Sequence, residues 1–307
     1  MRAERPAPTL VIFAAALALF THAPRASAQA WVPARGEGSL TTIYQNIHVR
    51  THLTDTGEAQ THLGRVRTNA VNTSFEYGIT DRLAVDAEVA FIASRYAGAI
   101  PHGPPDVSRT YHPTFQDAYV GVRYNVLSSP VVLTPFVGVV IPTHDYETRG
   151  HSAVGRGFTE LVVGVNAGRS LDPLLKNVHV DARYSYTAQR RFEGLNLNRS
   201  NFDWEAGWQA RPALSLRFLG AVQVTHGGLT TPLDREHLDH HLIDFHDRAT
   251  RAQYVRLGGA ATYALSNAFS LHGAYATTVR GRNTHASGGF ALGFSWRFSR
   301  GLEVPEL

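Results

Sequence analysis

The sequence predicts an all-β fold: a transmembrane, up-and-down antiparallel β-barrel of about 12 strands. Three observations support this prediction: alternating apolar and polar residues, alternating short and long connections, and a secretory leader. The alternation is clearest in residues 289–298, where every second residue from Phe290 to Phe298 is large and apolar and those between are small, polar or charged. Because successive side chains of a strand lie on opposite faces, one face of this strand is continuously apolar.

The other segments alternate in the same way, but their second face carries charge. In residues 200–210, for example, Phe202 and Trp204 alternate with Asp203 and Glu205. A soluble β-sandwich with a fully charged outer face would show the same alternation and is the alternative to a membrane barrel. A membrane barrel is favoured because aromatic residues lie towards the strand ends, as they do at membrane interfaces, and because the leader exports the chain.

Twelve candidate strands follow from this alternation. They cover residues 38–50, 65–78, 83–96, 115–127, 130–141, 157–168, 177–190, 200–210, 213–225, 251–264, 268–280 and 286–298. Tight turns are expected at 79–82, 128–129, 211–212 and 265–267, and mostly longer loops at 51–64, 97–114, 142–156, 191–199, 226–250 and 281–285. Short turns at one end and long loops at the other are typical of outer-membrane barrels, and an even strand number places both termini on the periplasmic side.

Residues 1–28 are predicted to be a cleaved signal peptide. Arg2 and Arg5 give it a positive start, and residues 11–20 are ten apolar residues, too few to span a membrane. Small residues at the spacing of a cleavage site end at Ala28 and again at Ala30, so cleavage after residue 30 is the alternative. An N-terminal anchor helix is the competing interpretation. We expect residues 29–307 to form a barrel in the outer membrane of a Gram-negative cell.

Composition excludes several classes of protein. The 307 residues contain no cysteine, so a disulfide framework or a thiolate metal site is excluded. The net charge is only +4, and residues 1–28 hold three arginines and one glutamate, which leaves the remainder near neutral. Without a basic run, this composition does not favour nucleic-acid binding. The mean hydropathy is −0.17, and no apolar run reaches the roughly 18 residues of a membrane-spanning helix.

The predicted inner face carries charges of both signs. The candidate lumen-lining residues are Asp86, Glu88, Asp117, Arg123, Glu160, Asp181, Arg183, Asp203, Glu205, Arg217, Arg256 and Arg297, with Glu76 beside them. One interpretation is that these charges pair into a network that only hydrates and supports the interior. The other is that they define a constriction for small solutes, since so few strands enclose a narrow bore.

Several segments resemble one family. These segments are residues 77–83 (Tyr-Gly-Ile-Thr-Asp-Arg-Leu), 116–117 and 121–124 (Gln-Asp, then Gly-Val-Arg-Tyr), 140–143 (Val-Ile-Pro-Thr), 157–170, and 184–186 (Tyr-Ser-Tyr). They resemble the outer-membrane transporters named for the meta-pathway of phenol degradation. One departure is that His144 follows Pro142 and Thr143, where the family usually has glycine. The resemblance implies a channel that admits small hydrophobic or aromatic molecules by passive diffusion, and it transfers no catalytic residue.

No sequence motif indicates an enzyme or a cofactor. The nearest approaches to a catalytic pair are His151 with Ser152, and Ser200 between Arg199 and Asn201, and neither places a base against a nucleophile within a known motif. We therefore expect a non-enzymatic channel. A structural or surface-binding barrel without transport is the first alternative, and an outer-membrane hydrolase is the second.

The expected partners are those of an outer-membrane barrel. Gly293, Trp296 and Phe298 resemble the C-terminal signal that such barrels present to the insertion machinery, although a nine-residue tail follows Phe298. Outer-membrane lipid and a small-molecule solute are the other expected partners. The sequence makes no prediction of oligomeric state.

The longest predicted loop, residues 226–250, is rich in histidine. Thr231 and Pro232 suit the start of a helix, and an apolar stripe at helical spacing predicts a short amphipathic helix over the barrel mouth. His237, His241 and Asp244 share the same spacing on another face. They could bind a divalent metal such as zinc or respond to pH; the alternative is a hydrated cap with no such role.

Overall fold

A computed structural model describes residues 30–61, 64–98, 103–231, 242 and 244–299. Its strands are β1 (Glu37–Leu53), β2 (Ala59–Gln60), β3 (Arg65–Gly78), β4 (Leu83–Ala97), β5 (His112–Phe115), β6 (Ala118–Tyr124), β7 (Val132–Ile141), β8 (Glu160–Ser170), β9 (Val178–Gln189), β10 (Arg199–Arg211), β11 (Leu214–Thr225), β12 (Gln253–Ala264), β13 (Phe269–Arg282) and β14 (Thr284–Ser299). The described residues also form two short helices, α1 (Gly103–Ser108) and α2 (His246–Ala249). Within the described residues, no helix is long and apolar enough to cross a membrane. The expected signal peptide lies outside them, so that boundary stays a prediction.

Twelve of the described strands form a closed antiparallel barrel, which confirms the predicted fold. Each barrel strand pairs with its neighbours along the chain, and β14 closes the ring on β1, from Glu37 opposite Ser299 to Leu53 opposite Thr284. The short strands β2 and β5 pair only with the ends of β1 and β4 near the long loops. A closed barrel leaves no free strand edge, so its backbone can be satisfied inside a membrane.

The outer face of the barrel is apolar and the inner face is polar. Leu292 and Val120, on the outer face, are 57% and 53% exposed, whereas Thr134 and Asn166, on the inner face, are fully buried. Soluble proteins bury their large apolar side chains. The inverse arrangement seen here is what a barrel surrounded by lipid requires.

Two connections differ from the sequence-based expectation. The strand expected at residues 115–127 is divided into β5 and β6, because Asp117 leaves the ladder and binds a loop tyrosine instead, while the Gln116 amide still donates a 2.8 Å hydrogen bond to the Ala90 carbonyl on β4. The longer loop expected at residues 281–285 is a tight hairpin with only Asn283 between β13 and β14. Asn283 has a φ of 48°, a conformation that asparagine tolerates better than most residues.

Candidate functional site

The candidate site is the interior of the barrel, where the first charged group spans β3, β4 and β6. Arg123 forms an ion pair with Glu76, and its Nε lies 3.4 Å from Asp86 Oδ1. Tyr119, also on β6, lies over Gly121, where an added Cβ would clash with the tyrosine ring. One cation therefore bridges two carboxylates on this wall, beside an aromatic ring.

A second charged group surrounds a cavity of about 300 Å³ between β9 and β13. Its lining includes Asp181, Arg183, Asp203, Glu205 and Arg256, together with Leu219 and Ala221. Glu205 is the centre of this group, because His179 lies 3.3 Å and Arg217 3.4 Å from its carboxylate. The Arg183 guanidinium lies 3.8 Å from the ring centroid of Phe136 on β7. The cavity thus combines both charge signs with apolar surface.

Glu160 holds the third group, near the long-loop end. Both of its carboxylate oxygens accept 2.6 Å hydrogen bonds from Arg199, and Arg156 Nη1 donates a 3.1 Å hydrogen bond to Oε1. Burial, and then repulsion from Arg199, lower the pKa of Arg156 to about 10, so it keeps its charge at neutral pH. Two cations share one buried carboxylate, and this arrangement fixes the start of β8 against β10.

Asp117 anchors the loop between β7 and β8. Its carboxylate accepts a short hydrogen bond from the Tyr146 hydroxyl, which in turn accepts a 2.9 Å bond from the Gly157 amide. Burial raises the pKa of Asp117 from its usual value, although the bond from Tyr146 opposes this shift. The contact closes the loop onto the barrel wall.

Three further contacts involve predicted lumen residues. Glu88 lies in register with Tyr119 across β4 and β6. Arg256, which lines the cavity, donates a 3.0 Å hydrogen bond to Ser287 on β14. Arg297 lies in register with Ser39 at the short-turn end. The pore-lining role of all twelve predicted residues stays a prediction.

The chain before β1 crosses the inside of the barrel, a feature that the sequence did not predict. Ala30 is fully buried, its amide lies 3.3 Å from Asp181 Oδ1, and its carbonyl accepts a 2.7 Å hydrogen bond from Thr134. These partners lie on β9 and β7, about halfway round the ring from β1. Trp31 packs against Gly168, where any side chain would clash with it. Residues 30–36, the N-terminal segment, therefore span the bore at the short-turn end.

The long loops pack together over the opposite end. The buried Asp106 carboxylate, on α1, accepts hydrogen bonds from the amides of His151 and Ser152 at 2.8 and 3.0 Å. In α2, the Arg248 guanidinium lies 4.0 Å from the ring of Phe158 and donates a 2.6 Å hydrogen bond to Thr148. Three loops that are distant in sequence thus form one cap, which we call the outer cap.

Among the described residues, three groups of side chains could hold a metal ion. Two lie in the outer cap and share His151: one contains His52, His151 and His285, and the other His151, His246 and Asp247. The third lies at the cavity and contains His179, Asp181 and Glu205. The metal site expected at His237, His241 and Asp244 stays a prediction, because His237 and His241 lie outside the described residues, as does most of the predicted helix.

The two candidate catalytic serines have different surroundings. Ser152 is buried and donates a 2.7 Å hydrogen bond to Asp106, while its neighbour His151 contacts Asp247. Ser200 lies on the outer face with its Oγ 2.9 Å from His226 Nε2. Among the described residues, no carboxylate contacts His226, so this pair lacks the third group that orients a catalytic base.

Comparison with known proteins identifies the fold. The crystal structure of the COG4313 outer membrane channel from Pseudomonas putida F1 matches with a TM-score of 0.68 at 12% identity, over 90% of this chain and 100% of that one. The chain has the fold of that channel. The CymD monoaromatic hydrocarbon channel has a TM-score of 0.48 at 9% identity, over 87% of this chain and 90% of that one.

A third similarity is to the translocator domain of the autotransporter NalP from Neisseria meningitidis, with a TM-score of 0.47 at 10% identity, over 87% of this chain and 90% of that one. No protein-family model matches the sequence, and no curated protein matches it. The resemblance to the phenol-degradation transporters therefore stays a prediction.

Proposed function

We propose that the protein is an outer-membrane channel that admits small molecules by passive diffusion and whose inner end is closed by the N-terminal segment. The observation that carries this proposal is the charged cavity inside a closed barrel with an apolar exterior. A barrel that served only as an anchor could fill its interior with apolar side chains. This chain instead buries Arg123, Glu160 and Asp181 there, which is costly unless each charge is paired or hydrated.

The lining of the cavity favours binding of small aromatic or hydrophobic solutes that carry a polar group. Arg183 and Arg256 present guanidinium groups, which bind carboxylates and stack on aromatic faces. Leu219 and the nearby ring of Phe136 supply apolar contact. The volume of about 300 Å³ is at the lower limit of ligand-binding sites, which excludes large solutes.

The N-terminal segment supports a gated rather than an open path. The Ala30 amide donates a hydrogen bond to Asp181, the Ala30 carbonyl accepts one from Thr134, and Trp31 packs against Gly168. None of these contacts is part of the strand ladder. The segment can therefore leave the bore without breaking the pairing of the barrel strands.

The test is permeation through planar bilayers and swelling liposomes. Deletion of residues 31–36 should raise single-channel conductance several-fold. A milder variant, Thr134→Val with Asp181→Ala, removes both hydrogen-bond partners of Ala30 and should raise the fraction of time that the channel is open without deletion of any residue. Ser270→Ala, which changes a buried hydroxyl on the inner face of β13, is the matched control and should behave like the parent.

Two outcomes contradict the proposal. If no variant conducts ions or admits any small solute, and the protein instead binds a macromolecule tightly, the chain is a surface-binding barrel. If Ser200→Ala abolishes hydrolysis of a phospholipid or ester, the barrel is an enzyme. Growth of a deletion strain on aromatic and aliphatic carbon sources would then identify the solute of a confirmed channel.

A further inference from the structure

Four histidines and one aspartate converge inside the outer cap, and we call this group the histidine cluster. His52 is near the end of β1 and His285 near the start of β14, where the two residues lie opposite each other in the ladder. His151 comes from the loop between β7 and β8, and His246 and Asp247 come from α2. The barrel closure and two long loops therefore meet at one point.

The contacts of the cluster centre on the Asp247 carboxylate. Oδ1 lies 3.1 Å from His246 Nε2 and 3.4 Å from His285 Nε2, and Oδ2 lies 3.3 Å from His151 Nδ1. A tetrahedral zinc site with bonds of about 2.0–2.1 Å has ligand atoms about 3.3 Å apart. The ligand atoms of His52, His151 and His285 lie within 4.8 Å of one another, close enough for one ion to contact all three after small side-chain shifts.

His52 completes the cluster in a way that hydrogen bonding does not explain. Its ring centroid lies 4.4 Å from that of His285 and 5.6 Å from that of His151. Both of its ring nitrogens are buried, and neither has a hydrogen-bond partner among the described residues. A buried polar group without a partner destabilises the folded protein. A metal ion would satisfy one of these nitrogens, because neutral imidazole is a metal ligand.

The surroundings hold the ligands in place. The ring of His151 stacks on the fully buried Tyr96 at a centroid distance of 4.7 Å. The main chain of His151 is fixed by the 2.8 Å hydrogen bond to Asp106. A rigid set of imidazoles with one carboxylate is a preorganised metal site.

We propose that the histidine cluster binds one divalent transition-metal ion of the zinc class, with His52, His151 and His285 as its imidazole ligands and with Asp247 beside them as the carboxylate partner of His151 and His285. Nitrogen ligands select zinc, copper, nickel and cobalt over magnesium and calcium, which prefer oxygen. The ion joins both strands of the barrel closure to two loops of the outer cap. Bound metal therefore fastens the cap, whether or not the barrel conducts.

The test uses the full-length mature protein, purified in detergent without a polyhistidine tag and stripped with a chelator. Titration calorimetry with Zn²⁺, and metal analysis after dialysis, should show about one tightly bound ion per chain, and Co²⁺ should give the visible absorption band of a tetrahedral site. Zn²⁺ should also raise the temperature of unfolding, because a ligand that binds only the folded state stabilises it.

His52→Ala is the decisive variant, because its removal breaks no hydrogen bond among the described residues. It should weaken Zn²⁺ binding at least 10-fold, since loss of even an outer-sphere partner typically costs about 10–100-fold. Asp247→Asn should have a similar effect. The matched control is His144→Ala, another loop histidine, which contacts Thr114 and Thr143 outside the cluster; it should leave binding unchanged.

Three results would overturn the proposal. If the parent protein fails to bind Zn²⁺, the cluster is only an ion-pair network between Asp247 and its histidines. Equal binding by the parent and His52→Ala would show adventitious binding. Equal losses in His52→Ala and His144→Ala would show that binding depends on loop histidines in general. Conductance enters none of these readouts, so failure of the channel proposal and failure of the metal proposal are distinguishable.

Discussion

Leu292 and Ala291 are neighbours at the middle of β14, and their side chains lie on opposite faces of the barrel wall. Leu292 is 57% exposed on the apolar face, whereas Ala291 lies opposite Gln45 on the inner face. Leu292→Arg should destabilise the folded barrel by about 2–4 kcal/mol, the cost of arginine near the bilayer midplane. Ala291→Arg should cost much less, because the inner face is polar.

The measurement is reversible unfolding by urea or guanidinium in phospholipid vesicles. Each variant is the control for the other, since both introduce the same residue in the same strand. Equal destabilisation of the two variants would show that the faces are assigned wrongly. The test therefore bears on every candidate lumen residue, because all were assigned by the same alternation.

At the scale of elements, Arg248 connects the long loop before β12 to two other loops. Its guanidinium lies 4.0 Å from the ring of Phe158 and 4.7 Å from that of Phe192, and it donates a hydrogen bond to Thr148. Cation–π contacts contribute about 0.5–2 kcal/mol each. Arg248→Ala should loosen the outer cap while the barrel stays folded.

Limited proteolysis is the measurement for this variant. Cleavage within the loop between β11 and β12 should be several-fold faster than in the parent, with an unchanged barrel core. Arg251→Ala, three residues later and exposed, is the control and should be cleaved at the parental rate. Unchanged cleavage of Arg248→Ala would mean that the cap does not depend on this cation.

At the scale of the whole molecule, closure of the barrel predicts resistance to detergent. All twelve barrel strands are paired on both sides, and the ring is closed by sixteen residue pairs between β1 and β14. Unboiled protein in dodecyl sulfate should stay folded and migrate faster on a gel than boiled protein. Identical mobilities, with a monomer that stays soluble without detergent, would contradict a membrane barrel.

The sequence by itself determined the barrel. The two-residue period fixes which face of each strand is apolar, and it also gives the strand boundaries, so β3 begins and ends where it was predicted. The residue types in the connections between strands predicted the length of the turns less well. Nothing in residues 281–285 indicated that Asn283 alone would make the turn, because its conformation is supported by hydrogen bonds to Thr54 and Thr231, which are distant in sequence.

Only the tertiary structure decided what lies inside and above the barrel. The N-terminal segment has no periodicity, and its partners on β7 and β9 are separated from it by more than 100 residues. The histidine cluster draws on four separate segments of the chain, so no spacing within one segment could reveal it. The helical spacing within residues 226–250 pointed only to His237 and His241, whose metal site stays a prediction. Alternation is a local property of a strand, whereas a site in a closed barrel depends on which strands and loops face each other across the bore.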